Sequence, residues 1–296
     1  MFEKIRRVGM SAEAATALLV LDTMAWGLSY VVIKIGARDI PPFELIALRF
    51  TIASLVCLAL FRRSFAAGVS RRAVVYGTVL GIAMFLGSTT MVYGVQTTDA
   101  STAGFLASAK ILFVPILVAI WLRQLPERRI FVGILSATVG IALLSLKDGL
   151  QLSMGAVLCI ASALFYALHI AMTGGMAKKE SAILIGVIQQ IAMAVLGWIC
   201  LALFNTPMLP TTGVQWTVIL VLALVNGVFV FVSQPIAQQF ASAERTALIF
   251  AMEPVFSAIF SFLLMGDRFT LRDICGAALI LASVLLASNA RKGPLS

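Results

Sequence analysis

Apolar runs of about twenty residues follow one another along the whole chain, broken only by short clusters of Lys, Arg, Pro and Gly. A helix needs roughly 20 apolar residues to cross the hydrocarbon of a bilayer. Backbone inside lipid must satisfy its own hydrogen bonds, so such runs dictate spanning helices. Storage in a soluble core is excluded, because a 296-residue domain cannot hide a sequence that is 61% hydrophobic and 12% charged. The breaks predict an all-α polytopic membrane protein with ten spans, at 14–37, 43–61, 73–95, 102–122, 130–146, 153–173, 181–204, 215–238, 245–265 and 273–289. The connections are short, with no soluble domain, long linker or low-complexity tail between spans.

A net charge of +9 in a soluble protein would suggest nucleic acid, but here the basic residues sit between apolar runs and read as topology signals. Fifteen of the 22 Lys and Arg residues fall on the side of the amino terminus: Lys4, Arg6, Arg7, Arg62, Arg63, Arg71, Arg72, Arg123, Arg128, Arg129, Lys178, Lys179, Arg245, Arg291 and Lys292. Four fall on the opposite side, Arg38, Lys147, Arg268 and Arg272, and Lys34, Arg49 and Lys110 lie within spans. Both termini are therefore expected in the cytoplasm, with the chain in the inner cell membrane. The first run follows Lys4, Arg6 and Arg7 like a signal peptide, yet it is too long for one and carries Asp22, so an uncleaved span is expected. Cys57, Cys159, Cys200 and Cys275 all lie inside apolar runs and are expected to be small buried hydrophobes without disulfides.

The chain also repeats itself. A shift of 143 residues sets Ala103–Lys110 on Thr246–Glu253 and Ile130–Ser145 on Asp273–Ser288, with Gly133 on Gly276 and Gly140 on Ser283. A shift of 140 sets Trp26-Gly27-Leu28-Ser29 on Tyr166-Ala167-Leu168-His169. Two five-helix units are expected, at 14–146 and 153–289. Five is odd, so the second unit enters from the opposite face, the inverted arrangement that lets two bundles rock about a central site.

The stretch Trp26-Gly27-Leu28-Ser29-Tyr30 with Lys34, Pro42 and Leu48-Arg49-Phe50 resembles the opening spans of the EamA family. So does the run from Val95-Gln96-Thr97-Thr98 to Gly133 and Leu143-Leu144-Ser145; in the second half, Ser242 to Thr246, Met252-Glu253-Pro254-Val255-Phe256 and Gly266-Asp267-Arg268 resemble its closing spans. That family belongs to the drug/metabolite transporter superfamily, and the resemblance implies a ten-helix fold with a central cavity that exports amino acids, other metabolites or drugs. Where the family often has Ser-Pro, this first half has Lys110-Ile111.

Charges at membrane depth cost about 2.5 kcal/mol or more and require a partner or a wet cavity. Lys110 and Glu253 coincide under the 143 shift, each about nine residues into its span, so roughly 13 Å deep at 1.5 Å per residue. They are read either as a clamp for a zwitterion, carboxylate to Lys110 and ammonium to Glu253, or as a structural ion pair, or as a pair in which Glu253 stays protonated. Asp22, Trp26, Ser29 and Ile33 share one face of the first helix, with Tyr30 alongside, and form either a cavity wall or a packing seam. Trp26 and Tyr166 are candidates for aromatic walls on the two sides of one pocket. His169, the only histidine, excludes a multi-histidine metal site and is either a proton relay or a packed, hydrogen-bonded residue. Gln189, Gln190 and Gln234 are further lining candidates, with Asn226 and Ser233 as extra hydrogen-bonding groups. Arg49 is expected to snorkel outward and pair with Asp39 or Glu44. Gly77 and Gly81 form a close-contact face, within the bundle or in a homodimer, and Pro115, Pro235 and Pro254 mark kinks or hinges.

No His-Glu-x-x-His, paired-aspartate cluster or Gly-x-Ser-x-Gly supports an intramembrane enzyme, and no cofactor or metal is implied. Nothing resembles the carbonyl filter or charged ring of a channel. The residues point to an alternating-access carrier, as a monomer or homodimer, for a small organic solute such as an amino acid; efflux of drugs by the same fold is the alternative.

Overall fold

The computed structural model describes residues 10–36, 40–97, 106–123, 127–145, 153–204, 209–266 and 270–288. Ten principal helices are found among them: α1 (Ala12–Gly36), α2 (Pro42–Leu60), α3 (Arg71–Thr97), α4 (Lys110–Leu122), α5 (Arg128–Ser145), α6 (Met154–Lys179), α7 (Ala182–Phe204), α8 (Gly213–Gln238), α9 (Ala243–Met265) and α10 (Leu271–Ser288). A single turn of helix, Arg62–Ala66, links α2 to α3. Seven of the ten, all but α4, α5 and α10, are long and apolar enough by length and composition to cross a membrane. The terminal basic clusters, Arg38, Asp39, Lys147, Asp267 and Arg268 lie outside the described residues.

The helix ends follow from local chemistry. Pro42 opens α2, where its missing N–H has no helical partner to lose. Ser153 accepts from Ala156 N to cap α6, and Thr212 with Gln215 forms a reciprocal capping box on α8. Gly266 ends α9 in the left-handed region, φ +75°, which glycine occupies without penalty.

Two of the ten helices depart from the straight spans that the sequence suggests. The middle of α8, Leu222–Val230, winds as a π-helix. In α9 the helix stops at Phe250 and restarts at Glu253, with Ala251 N bonded to Leu248 O and Met252 N to Ile249 O. These are the i to i+3 bonds of a tightened turn. The same turn precedes α4, where Ala109 N bonds Leu106 O, 143 residues before the bond of Met252 N to Ile249 O. Ser108 and Ala109 are 143 positions before Ala251 and Met252, so both repeats break at one equivalent point. In α9, Pro254 supplies a reason, since it offers no N–H to Phe250 O.

The two halves meet around a pseudo-two-fold axis. A Cβ built on Gly140 would lie 2.6 Å from Gly276 O, and one on Gly133 would lie 3.2 Å from Ser283 O. Gly276 and Ser283 are the repeat equivalents of Gly133 and Gly140, so the contact is reciprocal, as in a two-fold interface. Residue numbers rise along α5 as they fall along α10, so these equivalent helices cross antiparallel. Ser136 Oγ donates to Leu279 O at 3.1 Å, again 143 residues apart, which marks a point on the axis. The other packing partners exchange in the same way: α1 lies on α8 and α9, and α6 lies on α3 and α4.

Glycine permits the closest approaches inside the bundle. A Cβ on Gly77 would meet Ile188 at 2.6 Å and one on Gly81 would meet Gln189 O at 2.7 Å, so this face of α3 is spent on α7 within the same chain. Cys57 and Cys159 are buried, whereas Cys200 is half-buried and Cys275 is exposed on α10; all four are free. The expectation of four buried thiols is corrected at the last two, because an apolar run facing lipid needs no cover from protein.

Candidate functional site

The second point on the axis is the pair Lys110 and Glu253. Lys110 Nζ lies 2.8 Å and 2.7 Å from the two carboxylate oxygens of Glu253, and both side chains are buried. Each is the first residue of a helical segment that follows the equivalent break. A helix N-terminus favours the carboxylate and disfavours the ammonium, so Lys110 depends on Glu253 for its compensation. Tyr30 OH donates to Glu253 Oε2 at 3.3 Å. The rings of Tyr166 and Phe250 have their centroids 5.7 Å and 6.0 Å from Lys110 Nζ, within the range of cation–π attraction.

The pair borders a cavity of about 40 Å³ that Trp26, Tyr30, Tyr166, His169 and Gln234 also line. Met84, Ile170 and Phe250 complete its wall; sequence reasoning passed over them because apolar residues on a spanning helix look alike whichever way they face. Sites for small molecules measure roughly 300–1,000 Å³. The space here suits water-sized occupants only.

Four residues read from the sequence as cavity-lining sit elsewhere. Asp22 is fully buried and bonded to Ser233 on α8. Ser29 turns back to its own helix, donating to Trp26 O at 2.7 Å. Gln189 donates to Phe231 O at 3.2 Å, and its Oε1 lies 2.9 Å from His169 Nε2. Phe231 O is the carbonyl that Pro235, four residues on, leaves without a helical partner, so Gln189 repairs a proline defect. Gln190 bonds Gly186 O and reaches Cys57 Sγ, which ties α7 to α2. His169 thus touches the cavity with one edge while it is fixed from behind by Gln189.

Gln234 donates to Gln238 Oε1 at 3.0 Å, and Gln238 donates to Ile170 O at 2.9 Å, a relay that holds the cavity amide against α6. Arg49 differs from expectation. It does not snorkel but is drawn inward, 8% exposed, with its guanidinium 4.5 Å from the Phe50 ring centroid and its Nε without a hydrogen-bond partner. Among the described residues no group of three or more His, Cys, Asp or Glu is placed to hold a metal ion.

The profile of the EamA-like transporter family matches residues 14–146 and again residues 153–289. The chain belongs to the EamA-like transporter family. An uncharacterized transporter of Archaeoglobus fulgidus is 29% identical over 274 residues, covering 91% of this chain and 84% of the relative. The uncharacterized transporter YetK of Bacillus subtilis is 26% identical, covering 98% of this chain and 89% of its own length. A solved crystal structure shares the fold, with a TM-score of 0.79 at 20% identity over 94% of this chain and 97% of that one. This EamA protein is accordingly a multi-pass membrane transporter for a small molecule, with a helical fold built on an internal repeat.

Proposed function

We propose that this EamA protein is an alternating-access carrier that exports amino acids or similar small zwitterions across the cell membrane. The single observation that carries the reading is the Lys110–Glu253 pair, opposite charges on equivalent residues at a cavity on the axis. A zwitterion can replace each partner with its own opposite charge, carboxylate to Lys110 and ammonium to Glu253, so the pair opens without stranding a buried ion. Trp26 and Tyr166 would flank the cargo, with Tyr30, His169 and Gln234 offering hydrogen bonds. Asp22, Ser29, Gln189 and Gln190 would instead hold the helices that shape the site. The paired breaks beside Lys110 and Glu253 would be the points at which the interlocked helices bend as the site opens to either side.

Counterflow in proteoliposomes with a panel of labelled amino acids tests the cargo. Exchange of at least one zwitterion, and none of apolar cationic drugs in the same vesicles, is the expected result; the reverse pattern refutes it and favours drug efflux.

The carrier would sit in the membrane with cytoplasmic termini, an orientation supported by the fifteen to four division of basic residues. The connections after α2 and α6 then share the inner side, in keeping with Ser70 Oγ donating to Glu180 Oε2 at 2.8 Å between them. In a cysteine-free background, Thr211→Cys should react with an impermeant thiol reagent in intact cells and Ser70→Cys only after permeabilisation. Labelling of both in intact cells is incompatible with this orientation.

A further inference from the structure

Asp22 is fully buried on α1, one turn before Trp26, and away from the cavity. Its Oδ1 is hydrogen-bonded to Ser233 Oγ, and its Oδ2 has no hydrogen-bond partner. Ser233 Oγ also lies 2.8 Å from Phe229 O and 3.3 Å from Val230 O. A hydroxyl has one hydrogen to donate and lone pairs to accept with. Ser233 cannot give that hydrogen to a carboxylate and to Phe229 O at once. Both contacts are satisfied if Asp22 supplies a hydrogen of its own.

The surroundings ask for the same proton. An ionised carboxylate with an empty oxygen in apolar protein is far costlier than a neutral acid with an unmatched oxygen. α8 carries no titratable side chain between Gly213 and Gln238. α9 brings Glu244 and Arg245 at its start and Glu253, which is engaged by Lys110 and Tyr30. α4 brings Lys110 itself, α6 brings His169, which is bonded to Gln189, and α1 adds Glu13 and Tyr30. Among the described residues none of these groups forms a hydrogen bond or ion pair with Asp22.

We propose that Asp22 holds a proton on Oδ1, donated to Ser233 Oγ while Ser233 donates to Phe229 O, and that this is the proton coupled to transport. The inference rests on the carrier reading for the coupling, though not for the proton itself. Asp22 on α1 and Ser233 on α8 lie on two packed helices, and a carrier cycle that shifts α1 against α8 would part them. The O–H bond of the parted acid breaks to water on one side, and a proton from water on the other side re-forms it before the helices close. Nothing else is exchanged.

Infrared spectroscopy of the purified protein in lipid at neutral pH reads the proton directly. The protonated-carboxyl stretching band should be present in the wild type, lost in Asp22→Asn, retained in Glu253→Gln and shifted in frequency in Ser233→Ala. Identical spectra for wild type and Asp22→Asn overturn the proposal. Asparagine matches the neutral acid in shape, and a normal unfolding temperature confirms that the variant folds. For coupling, Asp22→Asn should keep counterflow of the labelled amino acid that the wild type exchanges best, but lose all accumulation driven by a pH gradient. Wild-type accumulation that ignores the gradient, or a variant that still follows it, overturns the coupling. If the wild type exchanges none of the panel, the cargo reading fails, while the infrared difference still decides the proton site.

Discussion

Lys110→Ala and Glu253→Gln should each abolish counterflow, and each should destabilise the protein in detergent by about 3–5 kcal/mol, the cost of leaving one member of a buried ion pair uncompensated. The two effects have separate causes, and a third variant separates them. In Lys110→Met/Glu253→Met both charges go together, and apolar replacement of a buried pair is often neutral or stabilising. The double variant should therefore recover most of the lost stability, read as unfolding temperature, and still transport nothing. Recovery of transport along with stability would reduce the pair to a strut between the halves and remove the basis of the cargo assignment. The single variants remain informative because insertion depends on the apolarity of the spans, which neither Lys110→Ala nor Glu253→Gln lowers.

The second large effect is expected at the crossing of α5 and α10. A Cβ at Gly140 would fall 2.6 Å from Gly276 O and 2.8 Å from Ile280 Cγ1, and the nearer of these is backbone that cannot swing aside. Gly140→Leu must push the two helices apart along much of their contact, and overpacking of this kind costs about 1–3 kcal/mol or more. Gly175→Ala is the matched control, since nothing lies within 4 Å of its added Cβ near the carboxyl end of α6. It should leave the unfolding temperature unchanged or raise it slightly, because alanine is the better helix former by about 1 kcal/mol. An unaffected Gly140→Leu would mean that the halves are not joined at this seam.

What the sequence discloses depends on which constraint speaks. Lipid demands long apolar helices, so the ten principal helices can be counted from the runs alone, seven of them of membrane-crossing length and composition. The Lys110–Glu253 pair is legible for a different reason: two charges in spans are rare, and the 143 shift superposes them. Helix rotation is poorly encoded, because residues facing lipid and residues facing protein are equally apolar. That is why Gln189 reads as a cavity residue although its task is to serve Phe231 O, a carbonyl orphaned by Pro235 on another helix. It is also why Asp22 reads as part of the stripe with Trp26, although its partner Ser233 lies on the far half of the chain. Arg49 is misjudged for a third reason. Depth near a span end suggests snorkelling, and only the packing of α2 reveals that the guanidinium points inward.

The position of Lys110 and Glu253 on the axis constrains how such a chain can be assembled. A two-fold axis is the one place where identical units set a residue against its own copy. Two copies of the first half would confront lysine with lysine, and two copies of the second would confront glutamate with glutamate, each a repulsion inside a membrane. The opposite charges found at this point exist only because the halves differ, which makes each half a partner for the other and a poor partner for itself.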